Sequence, residues 1–181
     1  MRKWELVFAA LGTFVLSTAA GTARAQQGPS DAQIVGIVLA ADQIDIDYGK
    51  IALQKSKDAK VREFAQRMVT DHSAVQKSVV ELAGKLGVKA EDSQTSAGLK
   101  SGAADITKKL KGLKGRDFDQ FYIDNEVSYH KTVTDAVDAV LIPSAQNGEL
   151  KSALQGAEPL FLKHLEHARS VQSGQGGSMA H

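Results

Sequence analysis

Cysteine is absent from the 181-residue chain. That excludes disulfides, thiolate metal sites, cysteine nucleophiles and lipid attachment at a cysteine. Stability must come from packing alone. Proline occurs three times, too rarely to break up long helices, and runs of alternating β-branched residues are nearly missing. Neither charge sign dominates, with 22 Lys and Arg against 21 Asp and Glu. The concentrated basic face of a nucleic-acid binder is therefore not there. The one basic run, Lys108, Lys109, Lys111, Lys114 and Arg116, reads as the solvated end of a helix.

Only one stretch is continuously apolar. It runs from Leu6 to Ala20, follows Arg2 and Lys3, and precedes Ala23-Arg24-Ala25, the small-x-small form of a secretion cleavage site. Residues 1–25 are thus predicted to be a signal peptide cut before Gln26. The remaining chain then has no membrane span. The leader holds Arg2, Lys3 and Arg24 against Glu5, which leaves 19 basic and 20 acidic residues in the other 156. That length suits a single domain with a real core.

Apolar residues recur every three or four positions through most of this length, the period of amphipathic helices. Ser30 or Asp31 can cap a first helix to about Lys55, and Asp58 a second to about Leu86, closed by Gly87. Residues 88–97 read as a loop, and a weaker helix follows on Leu99, Ala103, Ile106, Leu110 and Leu113. Asp117 is the predicted cap of a long helix to about Ile142. A last helix should run from Glu149 to Val171, kinked or split at Pro159. The fold predicted is all-α: an antiparallel four-helix bundle over residues 31–172, with an extra short helix in the crossover. Residues 26–30 and 173–181 read as disordered ends.

Every long helix has a polar residue on its apolar seam. The first carries Asp45, the second His72, the fourth Glu126 and His130, the last His164. A polar group on a buried seam must find a partner or cost stability. At about 1.5 Å per residue, His130 and His164 fall at similar heights on either side of the turn near residue 146. His72 sits at mid-helix. Asp42 matches its height better than Asp45 but lies slightly off the seam. A mid-bundle metal site of His72, Glu126, His130 and His164, completed by Asp45 or Asp42, is geometrically open. Its imidazoles and carboxylates suit copper, zinc or iron. The competing assignment makes these core hydrogen-bonding groups, with Tyr48, Tyr122 and Tyr129 as partners, and Asp71 either orienting His72 or facing water. Met68 reads as core and His167 as exposed. The Met179 and His181 tail could touch copper only weakly.

Four segments carry a family resemblance: Phe64 to His72 (FAQRMVTDH), Phe118 to His130 (FDQFYIDNEVSYH), Pro159 to Ala168 (PLFLKHLEHA) and Asp45 to Lys50 (DIDYGK). Over about residues 31–171 the chain resembles the domain of unknown function 4142 family. The resemblance implies an exported bacterial protein, periplasmic or associated with the outer membrane, with a ferritin-like helical bundle. It also implies a joint role for His72, His130 and His164. The aspartates of the first-helix segment stand where that family usually carries glutamates, which shortens the reach of any ligand. Di-iron bundles use Glu-x-x-His on two helices, and this chain contains no such motif. A ferroxidase-type centre is therefore not expected.

Three functions compete. The first is a metal-binding bundle. The second is a cell-envelope structural or interaction module, joined by a protein partner or a second copy of itself. An exposed apolar stripe on the 99–113 helix would favour this one. The third is acid–base catalysis, the weakest of the three, because no nucleophile motif, phosphate loop or cofactor fingerprint is present.

Overall fold

The computed structural model describes residues 28–176. The predicted leader and its cleavage site lie outside this range, as do the Met179 and His181 tail. Five helices make up the fold: α1 (Asp31–Lys55), α2 (Ala59–Leu86), α3 (Gln94–Gly112), α4 (Gly115–Ala136) and α5 (Gly148–Gly176). No strand occurs among the described residues. None of these helices is long and apolar enough to cross a membrane.

Local chemistry sets most of the ends. Ser30 and Gln33 form a reciprocal capping box at the start of α1. The Asp58 carboxylate accepts from the backbone of Lys60 and Val61 at the start of α2. Gly87 takes φ +66°, and Gly87 and Val88 return their N–H groups to Gly84 and Ala83. Only glycine adopts that left-handed turn at little cost.

Four boundaries differ from those read in the sequence. Ser93 and Ser96 cap α3, so it begins at Gln94, inside the predicted loop. Lys114, not Asp117, precedes α4, and Gly115 takes φ +54°. Asp117 falls in the first turn, where its charge suits the helix dipole. Beyond Ala136 the chain widens into a π turn (Val137–Leu141) and ends in a short helical turn (Ile142–Ser144). Pro143 has no N–H for the regular ladder, and the Ile142 N–H reaches back to Val137. Finally, α5 runs unbroken through Pro159 and on to Gly176, past the predicted end at Val171. Pro159 and Gln155, whose carbonyl loses its bond, both lie on the exposed face. Water can satisfy that carbonyl there.

Helix α1 packs along α2, α4 packs along α5, and α3 lies mainly on α1. The pairs Asp42–His72 and Gly49–Val69 run in opposite directions, so α1 and α2 form an antiparallel hairpin. The Asp31 carboxylate accepts from the backbone of Gln146 and Asn147 at 2.8 and 3.0 Å. This clamps the start of α1 to the turn before α5, which Asn147 caps through Glu149 and Leu150.

The core is in two parts. One contains Phe64, Met68, Leu110, Phe118, Tyr122 and Ile123; the other contains Ile34, Val35, Val137, Leu141, Leu154 and Phe161. The apolar stripe of α3 is covered: Leu110 is fully buried, while Leu99, Ala103 and Ile106 are partly buried against the core. That removes the feature that would have favoured an interaction module.

At Gly36 the α2–α3 connection passes so close that an added Cβ would sit 2.0 Å from the Glu91 carbonyl oxygen. Gly84, exposed on α2, has nothing within 4 Å of the same position. Gly36→Ala should therefore cost about 1–3 kcal/mol by overpacking, whereas Gly84→Ala should gain about 0.5–1 kcal/mol by helix propensity. Urea denaturation of the two variants measures both. Equal effects would contradict the packing described at Gly36.

Candidate metal centre

Between the two halves of the core lies a layer of buried polar side chains: Asp42, Asp45, His72, Glu126, His130 and His164. Three helical seams deliver the histidines. Their rings pack against one another, with centroids 5.7 Å apart for His72–His130, 5.1 Å for His72–His164 and 5.4 Å for His130–His164. Phe161 stacks on His72 at 5.6 Å and Phe64 meets the edge of His130 at 6.4 Å. The layer is thus walled by aromatic surface.

Each imidazole is held by one nitrogen. His72 Nδ1 is bonded to Asp42 Oδ1 at 2.8 Å. His130 Nδ1 is bonded to the Glu126 backbone carbonyl at 3.0 Å. His164 Nε2 is bonded to Asp71 Oδ2 at 2.9 Å. In the neutral ring, an acceptor at one nitrogen places the proton there and leaves the lone pair on the other. Those other nitrogens, His72 Nε2, His130 Nε2 and His164 Nδ1, are buried and have no hydrogen-bond partner.

Asp45 stands beside them with both carboxylate oxygens buried and unpartnered. Its Oδ2 is 3.1 Å from His72 Nε2 and 3.4 Å from His130 Nε2. The first of these is short enough for a hydrogen bond yet is not aligned as one, so proximity alone does not satisfy either atom. One ligand atom from each of His72, His130 and His164 lies within 4.8 Å of the others. The same holds for Asp45, Glu126 and His130. The two sets share His130.

Every residue proposed from sequence for this site is here, but the roles are redistributed. Asp45 is central. Asp42, whose height matched better, sits behind His72. Asp71 orients His164 rather than its neighbour His72, because successive helical residues face about 100° apart. Glu126 is fully buried beside His130, its Oε2 3.4 Å from Nδ1, and neither of its oxygens has a hydrogen-bond partner. Among the described residues no tyrosine hydroxyl bonds an imidazole: Tyr129 donates to the Ala41 carbonyl, and the Tyr122 hydroxyl has no partner. His167 is half-buried, edge-on to Phe64 at 5.2 Å, rather than exposed. Met68 is fully buried in the core.

The electrostatics are set by burial against close carboxylates. Burial opposes the charged form of His130, but Asp45 and Glu126 outweigh it and hold the ring up to about 9. His72 is raised in the same way, Asp45 and Asp42 overcoming burial. Burial pushes the Glu126 carboxyl up to about 8, with Asp45 adding repulsion. Burial also dominates at His164. Its bond to Asp71 resists, the charges on His72 and His130 assist, and the ring falls to about 4. His164 is therefore neutral at pH 7. His130 must release a proton before its free nitrogen can bind a cation, so protons and metal compete.

These shifts give the metal-free protein a two-sided pH dependence. The unfolded chain protonates His164 near 6.5, the folded chain only near 4, so stability is full above 6.5 and is lost as pH falls between them. The raised group His130 acts with the opposite sign: its contribution is full below 6.5 and is lost as pH rises through about 9. Glu126, neutral in the fold up to about 8, shares that alkaline sign. Urea midpoints measured from pH 4 to 9 should show His164→Gln flattening the acid limb and Glu126→Gln flattening the alkaline one. An acid limb unchanged in His164→Gln would contradict the assignment.

No curated protein and no solved structure matches this chain. A family model described as "Domain of unknown function (DUF4142)" matches residues 16–171, reaching further toward the N-terminus than the segments that carry the resemblance. The buried histidine layer thus lies wholly within the matched region, and the chain belongs to the domain of unknown function 4142 family.

Proposed function

We propose that this protein is an exported, ferritin-like four-helix antiparallel bundle that binds one transition-metal ion through His72, His130, His164 and Asp45. One observation carries the reading. Three imidazoles, each fixed by an acceptor at one nitrogen, leave their other nitrogens unpartnered in one buried place beside an unpartnered carboxylate. Histidine ligands ordinarily donate their second N–H to a carboxylate or carbonyl in this way, which fixes the tautomer and the ring.

Energetics support the same conclusion. Eight buried atoms of Asp42, Asp45, His72, Glu126, His130 and His164 have no hydrogen-bond partner in the protein. Each such group costs about 1–3 kcal/mol, and a domain has only about 5–15 kcal/mol of stability. Charge pairing of Asp45 with His72 and His130 offsets part of that cost, and a bound cation would take the remaining acceptors at once. Bonds of about 2.0–2.2 Å place two ligands at most about 4.4 Å apart across one ion. One nitrogen of each ring already lies within 4.8 Å of the others, and Asp45 Oδ2 lies 3.1 and 3.4 Å from His72 and His130 Nε2, so small movements would close them on one ion.

The donor set is three imidazoles and a carboxylate, with no sulfur. This favours Zn2+, Cu2+ or Fe2+ and disfavours Mg2+ and Ca2+, which take all-oxygen sites. Glu126, buried beside Asp45 and His130, can approach the ion itself once it gives up its own proton. Four protein ligands suit binding, buffering or sensing more than catalysis. The apolar leader before Ala23-Arg24-Ala25 supports export to the periplasm.

Metal-stripped protein titrated with zinc, copper, iron and manganese should show a saturable rise in thermal midpoint with at least one of them. At 100 times the dissociation constant the gain is about 2.7 kcal/mol. His164→Gln and Asp45→Asn should abolish that gain while the helical circular dichroism is kept. Asp71→Asn, which leaves the ligand in place but removes its charged anchor, should weaken binding by about 10–100-fold. Undiminished affinity in His164→Gln would place the metal elsewhere.

A further inference from the structure

A cavity of about 410 Å³ opens directly beside the histidine layer. Its walls are aliphatic, from Val35, Val38, Val79, Leu141, Leu150 and Leu154 among others. Its mouth lies between α2 and α5, where the exposed lining residues are small: Ala74 and Ser78 on one side, Ala153 and Gly156 on the other. Short side chains along both helices keep that slot from closing. The π turn supplies Val137 and Leu141 to the far wall, and π turns commonly accompany ligand sites.

The polar part of the lining is one-sided in chemistry. Asp42, Asp45 and Asp71 line the cavity with His72 and His130, and no lysine or arginine does. Asp42 keeps Oδ2 buried and unpartnered even while its Oδ1 holds His72. It is not among the four ligands assigned to the ion, so its acceptor stays available when metal is bound. An anionic head group would meet three aspartates, while the two imidazoles of the lining, His72 and His130, are already paired with Asp42 and Asp45. A hydrogen-bond donor would meet an unsatisfied acceptor. The volume lies within the range of small-molecule sites, about 300–1,000 Å³. At about 30 Å³ for a unit the size of a water molecule, a chain of roughly ten carbons fills most of it.

We propose that this cavity binds one straight-chain apolar molecule ended by a hydroxyl or amine group, the chain lying between α2 and α5 and the head donating to Asp42 beside the histidine layer. The site goes beyond the metal reading and does not depend on it, because Asp42 can take the head whether or not an ion is present.

The test is calorimetric titration of the purified protein, metal-stripped and zinc-treated, with 1-decanol, decylamine and decanoate below their aggregation limits. One-to-one binding of the alcohol or the amine, with none of decanoate, is the expected result in both preparations. Ala157→Phe fills the cavity and should abolish it. Ser78→Phe, at the exposed mouth, should block entry without touching the core, and it serves if Ala157→Phe misfolds. Zinc affinity should be unchanged in both variants. No binding of either donor-headed chain overturns the proposal. So does decanoate binding as well as decylamine, or decylamine binding unaltered in Ser78→Phe. A protein that takes up decylamine but no metal would refute the metal centre and leave this site standing.

Discussion

The hydrogen bond at one nitrogen of each buried imidazole is the interaction on which the rest of the site depends. Without Asp42, the Glu126 carbonyl and Asp71, the three rings could rotate or flip and no common point would exist. With them, one proton is fixed on the outer nitrogen, which leaves the inner nitrogen to bind a cation once any second proton has gone. Two of these acceptors belong to the helical scaffold in a specific sense. The carbonyl is α4's own backbone one turn before His130. Asp71 reaches across from α2 to His164 on α5, tying two helices that otherwise approach each other little at the cavity mouth.

The fold serves this layer by dividing the core. Aromatic packing of Phe64, Phe118 and Tyr122 fills one half, and mainly aliphatic packing of α1, the π turn and α5 fills the other. Burial in between strengthens every charge interaction, which is why Asp45 and Glu126 can raise His130 while His164 falls on the other side of neutrality. The half with fewer aromatics is also the half with the cavity. Aliphatic side chains and small residues along the α2–α5 seam leave space that the aromatic half fills. One end of the layer is thus sealed and the other is approachable.

Much of this was legible in the sequence because helical periodicity is a strong signal. Asp45, His72, Glu126, His130 and His164 interrupt apolar seams, and equal height about the turn near residue 146 correctly brought His130 to His164. The π turn was not legible, since Pro143 signals only that a regular ladder must fail and not how the chain accommodates it. Nor were the roles of Asp42 and Asp71. Residues off the seam point between helices, and which ring they reach depends on helix rotation, which spacing does not encode. That α5 stays one helix through Pro159 was not legible for a related reason: the cost of a proline depends on whether the freed carbonyl faces water, and exposure at Gln155 is a tertiary property. The serine box that starts α3 was present as Ser93 and Ser96, but the polar run around it hid the helix it begins.

X-ray absorption fine structure of the zinc- or copper-loaded protein tests the central claim most directly, because it counts the imidazoles on the ion. The account predicts a light-atom shell at about 2.0–2.2 Å with outer-ring scattering from three histidines and one oxygen ligand from a carboxylate. A shell of water-like oxygens, or scattering from one histidine only, would show that the buried triad does not hold the metal.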